Sequence, residues 1–117
     1  MEIEILNIVD NSYINVISKY GNFIGKWIGE NIPNSGTFHV EIDFNKIMNY
    51  EIIEEKYFIG NVNGKNIICG CVTDEDDDFV QYIDVDGIIM INIEEKMLKN
   101  KFIKLEVDEI KLYPISM

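Results

Sequence analysis

A chain of 117 residues carrying 10 basic and 21 acidic side chains has the length of one domain, and its net charge of −11 repels nucleic-acid phosphates and anionic lipid surfaces. Hydrophobic residues make up 47% of it, too many for a disordered segment and enough for one core without disulfide or metal staples. Isoleucine dominates while alanine and arginine are absent. Because β-branched side chains suit a pleated, half-buried surface and alanine is the best helix former, the balance tips towards β-structure.

The opening stretch, 2–9, reads as a strand. Acids stand there where an export signal needs basic residues, and no apolar run approaches about 18 residues, so neither an export signal nor a membrane span is expected. Asp10-Asn11-Ser12 turns the chain into a second strand over 13–18, and Tyr20-Gly21-Asn22 turns it into a third over 23–30. Gly21, Gly25, Gly29 and Gly36 punctuate the segment around Trp27. With no Gly-Lys-Ser/Thr ending and no helix to follow, they fit barrel bends better than a phosphate cradle. Over 37–44, Phe38, Val40, Ile42 and Phe44 alternate with Thr37, His39, Glu41 and Asp43, the period-two signature of a half-buried strand. The next stretch, 45–55, holds Ile47, Met48, Tyr50, Ile52 and Ile53 and fits a turn of helix or a loop.

Asn63-Gly64 predicts a hairpin between strands at 56–62 and 65–72, and Asp86-Gly87 predicts another between 79–85 and 88–93, because both turn residues tolerate positive φ. The stretch 94–100 is short and holds one apolar pair, Met97-Leu98, so it reads as a second turn of helix or a loop. The last strand starts near Lys101 and slips phase: Ile103, Leu105 and Val107 share one parity, Ile110 and Leu112 the other. A β-bulge or bend near Asp108-Glu109 accounts for the slip. The expected architecture is one all-β domain over 1–117, a small closed or partly open antiparallel barrel of OB-like type with at most one or two short helices. A Greek-key sandwich is the alternative.

The densest local feature is acidic. Asp74, Glu75, Asp76, Asp77, Asp78, Asp84 and Asp86 put seven carboxylates in thirteen residues without a base among them. An EF-hand begins with alternate acids, but Phe79 stands at the turn-glycine position and Val85 at the closing-glutamate position. The remaining readings are a solvated hairpin loop and an anionic patch for a basic protein. His39, the one histidine, lies beside Glu41 without a nucleophile motif to complete a catalytic set. Cys69 and Cys71 are spaced for neither a zinc site nor a redox pair and, two apart in a strand, aim poorly at each other; free thiols in a reducing cytoplasm are expected. Trp27 reads as a core plug or a binding anchor. No catalytic residue, metal or cofactor is predicted.

Gly25-Lys26-Trp27-Ile28-Gly29, followed by Pro33, Gly36 and Val40-Glu41-Ile42-Asp43, and the ending Leu112-Tyr113-Pro114 together resemble small, uncharacterised bacterial proteins with an OB-like β-barrel, some of which accompany polymorphic toxins. The resemblance implies the barrel and, for its toxin-linked members, an immunity role; it brings no catalytic residues. The expected function is therefore that of a non-enzymatic protein-binding module, in its sharper form an immunity or inhibitor protein covering a basic toxin. Asp74, Glu75, Asp76, Asp77, Asp78, Asp84, Asp86 and Trp27 are the candidate contacts. The alternative is an OB-like protein binding single-stranded nucleic acid through Tyr13, Tyr20, Phe23 and Trp27, with only Lys19 and Lys26 to meet phosphate, or a small ligand in a pocket at the barrel mouth. Oligomeric state is left open.

Overall fold

Turn chemistry and alternation lay down eleven strands in a computed structural model that describes residues 1–74, 81–91, 93 and 98–115. In chain order they are β1 (Glu2–Ile8), β2 (Tyr13–Ser18), β3 (Gly21–Trp27), β4 (Gly36–Asp43), β5 (Ile47–Ile53), β6 (Phe58–Val62), β7 (Lys65–Asp74), β8 (Gln81–Asp84), β9 (Ile88–Ile91), β10 (Phe102–Val107) and β11 (Lys111–Pro114). Among the described residues there is no helix.

Five strands close a barrel in the order β1-β2-β3-β11-β4, with β1 and β4 sealing the circle, an arrangement compatible with an OB-like barrel. The circle is mixed rather than fully antiparallel. β11 runs parallel to β3, setting Lys111 opposite Lys26 and Leu112 opposite Trp27, and antiparallel to β4. The other six strands form a second sheet, β5-β10-β7-β8-β9, with β6 paired to β7. One buried cluster draws on both sheets, running from Ile3, Val16 and Phe23 of the barrel to Ile68, Ile83 and Leu105 of the second sheet.

The local signals act as their chemistry requires. Phe38, Val40, Ile42 and Phe44 face inward while Thr37, His39, Glu41 and Asp43 are exposed. At the β6–β7 turn Asn63 and Gly64 take φ of 52° and 79°, the double positive φ of a tight hairpin. Lys19 and Tyr20 turn β2 into β3, and Gly21 follows at φ 146°, where a Cβ would run into the Ile59 carbonyl oxygen. Ser18 clips this turn, its hydroxyl donating to the Gly21 carbonyl and accepting from the Tyr20 amide.

One expectation is corrected and another is extended. Most of the segment 45–55 is neither helix nor loop: Ile47–Ile53 form the edge strand β5, exposed along most of its length. Both of its faces reach solvent, and its pairing with β10 skips Met48, so no single period runs through its sequence. The phase slip near Asp108 is a bend, as expected, and it carries a change of sheet: β10, whose pairing with β5 shifts register between Glu106 and Val107, ends in the second sheet at Val107, and β11 begins in the barrel at Lys111. Val107, Ile110 and Leu112 are all buried, each against the sheet it has reached. Of the stretch 94–100, residues 94–97 lie outside the described residues; Leu98 is fully buried, and the turn after it is tied to β7 by the Asn100 amide donating to the Val72 carbonyl. Of 79–85, residues 79 and 80 lie outside the description too.

The sheet change is held by Asp108. Its carboxylate accepts from the backbone amides of Asn45 and Lys46 at 3.2 and 3.0 Å, its own amide donates to the Lys46 carbonyl, and its carbonyl accepts from the Asn66 side chain. Both crossings between the sheets, β4 to β5 and β10 to β11, are thereby pinned together. Burial alone would raise the Asp108 carboxyl, but these amides, with that of Glu109, outweigh it and hold the group below its ordinary 3.8. A depressed carboxylate stabilises the fold above its unfolded pKa and loses that contribution as pH falls through the folded value. Asp108→Ala is expected to cost about 1 kcal/mol at pH 7, with the difference from wild type shrinking below about pH 4; urea unfolding at several pH values measures it.

Barrel closure generates a second prediction. A Cβ on Gly25 would sit 2.8 Å from Leu112 Cδ1, so the close approach of β3 to β11 needs glycine. Gly25→Ala is expected to destabilise by about 1–3 kcal/mol through overpacking, and Leu112→Ala by about 2–5 kcal/mol through its cavity. The double substitution should cost less than the sum, a coupling read by the same unfolding curves.

Candidate interaction surface

The outer face of β1, β2 and β3 follows from pairing. Glu4 stands opposite Ile17 and Ile17 opposite Asn22; in the next row Asn7 stands opposite Asn15 and Asn15 opposite Ile24; beyond them Tyr13 stands opposite Lys26. A register shift between Ile5 and Asn7 pushes Leu6 out of the ladder. Leu6, Ile17 and Ile24 are 46%, 38% and 39% exposed, on strands whose inward residues Ile3, Ile14, Val16 and Phe23 are sealed. The face is therefore aliphatic and amide at its centre. Asn15 donates to the Asn7 side chain, and Asn61 of β6 accepts the Ile24 amide.

The margins of this face are acidic. Glu2 and Glu4 project from β1, Asp10 from the β1–β2 turn, and the Tyr13 hydroxyl donates to Glu109 at 2.8 Å. That bond raises the Tyr13 pKa and engages the one aromatic ring on the outer face of these strands. Lys26 is half-buried, and Lys19 lies over the Tyr20 ring, its Nζ 5.4 Å from the centroid. Phe23 and Trp27 face inward; Trp27 meets Phe38 edge-on at 5.7 Å, so its ring belongs to the core.

The acidic residues singled out by sequence fall elsewhere. Asp84 and Asp86 are exposed on the β8–β9 hairpin, Asp86 at φ 59° and Asp84 Oδ1 accepting from the Gly87 amide. Asp74 ends β7, whereas Glu75, Asp76, Asp77 and Asp78 lie outside the described residues. His39 pairs across strands with Glu2, its Nε2 3.8 Å from the carboxylate, rather than with Glu41. Among the described residues no three His, Cys, Asp or Glu side chains gather as metal ligands, and no helix is long and apolar enough to cross a membrane.

The second sheet carries its own features. A groove of about 430 Å³ lies over its outer face, with Ile67 and Cys69 among its lining and Lys56, Lys65 and Lys104 around it. Lys104 is 2.6 Å from Glu51 and Lys65 is 3.5 Å from Glu106, which cancels most of that positive charge. A wider, open depression of about 820 Å³ lies between the β4–β5 connection and β9; Glu41 and Asp43 line it, both exposed. Tyr57 lies between Tyr20, tilted at 5.6 Å, and Phe102, edge-on at 5.3 Å.

Cys69 and Cys71 share the outward side of β7 and are unpaired, the first buried and the second partly so. Burial pushes both thiols up; Lys56 and Lys104 offset this at Cys69, whereas Asp84 and Glu55 add to it at Cys71. Neither is an activated nucleophile, since the thiolate is the reactive form. Alkylation with iodoacetamide near neutral pH is expected to be slower at both than at free cysteine, slowest at Cys69, and equal at the two in denaturant.

Comparison with protein-family models, with curated proteins and with solved structures gave no match.

Proposed function

We propose that the chain is a non-enzymatic, OB-like protein-binding module that receives a basic protein on the outer face of β1, β2 and β3. The observation that carries this reading is the exposed aliphatic centre at Leu6, Ile17 and Ile24 inside an acidic margin. Apolar centres with polar rims are how protein interfaces are built, and the net charge of −11 favours a cationic partner by steering it in. OB-like barrels use this same face, around strands two and three, to bind oligonucleotides. Here the face offers one half-buried lysine and a tyrosine held by Glu109, a poor match to the stacking rings and positive track such binding needs.

The sharper form of the proposal is a cytoplasmic immunity or inhibitor protein that covers the basic active site of a toxin encoded beside it. The resemblance noted from the sequence, the unpaired thiols and the anionic β8–β9 hairpin support this form. Its test is titration of the purified chain against the product of the adjacent reading frame at several salt concentrations. Binding is expected to weaken as salt rises, and Ile17→Lys with Ile24→Lys is expected to weaken it by at least about tenfold while leaving the melting temperature within about 2 °C. A labelled oligonucleotide at about 50 mM salt is expected to give a flat titration. Absence of binding at low salt sinks the inhibitor form; binding indifferent to the double substitution removes this face from the interface.

A further inference from the structure

One groove gathers three lysines in a chain where acids outnumber bases by 21 to 10. It lies over the outer face of the second sheet, and its volume of about 430 Å³ is in the range of small-ligand sites. Strand pairing builds it in two rows. Phe58 of β6 stands opposite Cys69 of β7, Cys69 opposite Lys104 of β10, and Lys104 opposite Glu51 of β5; in the next row Gly60, Ile67 and Glu106 follow in line. Cys69 and Ile67 are buried and form an apolar floor. Gly60 carries no side chain, and a Cβ there would come within 2.5 Å of Phe58 Cζ, so the Phe58 ring lies along β6 as one wall.

The charges around this floor do not balance. Lys104 pairs with Glu51 at 2.6 Å and Lys65 with Glu106 at 3.5 Å, whereas Lys56 meets no carboxylate among the described residues; its Nζ lies 5.1 Å from the Phe58 ring centroid. Three ammonium groups against two carboxylates leave one positive charge beside the floor. Burial raises the Cys69 thiol, yet Lys56 and then Lys104 pull against that rise, each more strongly than Glu51 adds to it. The electrostatic field at the floor therefore favours an anion. We propose that this groove binds a small organic carboxylate, a monoanion with a flat apolar body, its head between Lys56 and Lys104 and its body on Ile67, Cys69 and Phe58. Lys104 can serve Glu51 and the ligand together, because an ammonium carries three donors. The single surplus charge suits a monoanion better than a phosphate dianion, and the chain has no arginine to offer a phosphate a bidentate fork.

The groove shares no residue with the outer face of β1, β2 and β3, so ligand binding stands or falls separately from partner binding. The test is an amide NMR titration of the full chain with naphthoate at low salt. A dissociation constant of about 1 mM or tighter is expected, with shifts centred on the amides of Ile67, Cys69 and Lys104 and not on those of Leu6, Ile17 and Ile24. Neutral naphthamide should bind at least about threefold more weakly. Lys56→Gln and Lys104→Gln should each weaken naphthoate binding by about threefold, and together by about tenfold. Lys46→Gln, which lies off the groove, should leave it unchanged. All three variants should keep the melting temperature within about 2 °C. Bound naphthoate should also slow alkylation of Cys69 and leave that of Cys71 as it was. Absence of shifts up to about 10 mM, shifts centred elsewhere, equal binding of naphthamide, or indifference to both lysine substitutions each overturns the proposal.

Discussion

Closure of the barrel rests on the parallel contact between β3 and β11, and everything else in the fold is arranged so that this contact can form. The chain lays down β1 to β4 in sequence, leaves the barrel, and returns only through its last strand. Leu112 then fills the space that Gly25 leaves and lies opposite Trp27. The Lys26 amide reaches the Ile110 carbonyl and the Ile28 amide the Leu112 carbonyl, so the seam is hydrogen-bonded beyond its two paired residues. Without β11 the edges of β3 and β4 stay open, and an isoleucine-rich sheet with open edges invites aggregation. Because six strands of the second sheet come between β4 and β11, the barrel depends on that sheet being folded. Asp108 ties the outgoing and returning crossings together. Pairings this distant in sequence incur loop-closure entropy before they contribute, which makes folding slow relative to a helical chain of equal length.

The same packing decides what the surface can offer. Phe23, Trp27 and most isoleucines of β1 to β4 are spent on the interior. What remains outside the barrel is short: aliphatic tips at Leu6, Ile17 and Ile24, asparagine amides, and carboxylates at the margins. Lysines elsewhere are largely engaged, as Lys65 with Glu106 and Lys104 with Glu51. The protein-binding proposal rests on this exposed aliphatic centre, and its choice of a basic partner rests on the negative charge around it.

The sequence was most legible where a single residue type has one physical use. Asn63-Gly64 could only be a tight hairpin, and the alternation from Thr37 to Phe44 could only be a strand with one wet face. β5 was illegible because an edge strand exposed on both faces has no inside for a period to report. The bend at Asp108 was legible, but the change of sheet it carries was not, because a bend within one sheet and a crossing between two both switch the buried parity. On the surface, the acidic residues drew attention through density, whereas Leu6, Ile17 and Ile24 sit in ordinary alternation and gave no signal until pairing placed them side by side.

By itself, then, the sequence determined an all-β chain, most of its turns, the inward residues of β4 and the strong negative charge, because each depends on local sterics or on simple composition. Tertiary structure decided the parallel closure by β11, the division into a barrel and a second sheet, and the open edge at β5. Those depend on which distant strands become neighbours, a choice made by the packing of the whole core and not by the preference of any one segment.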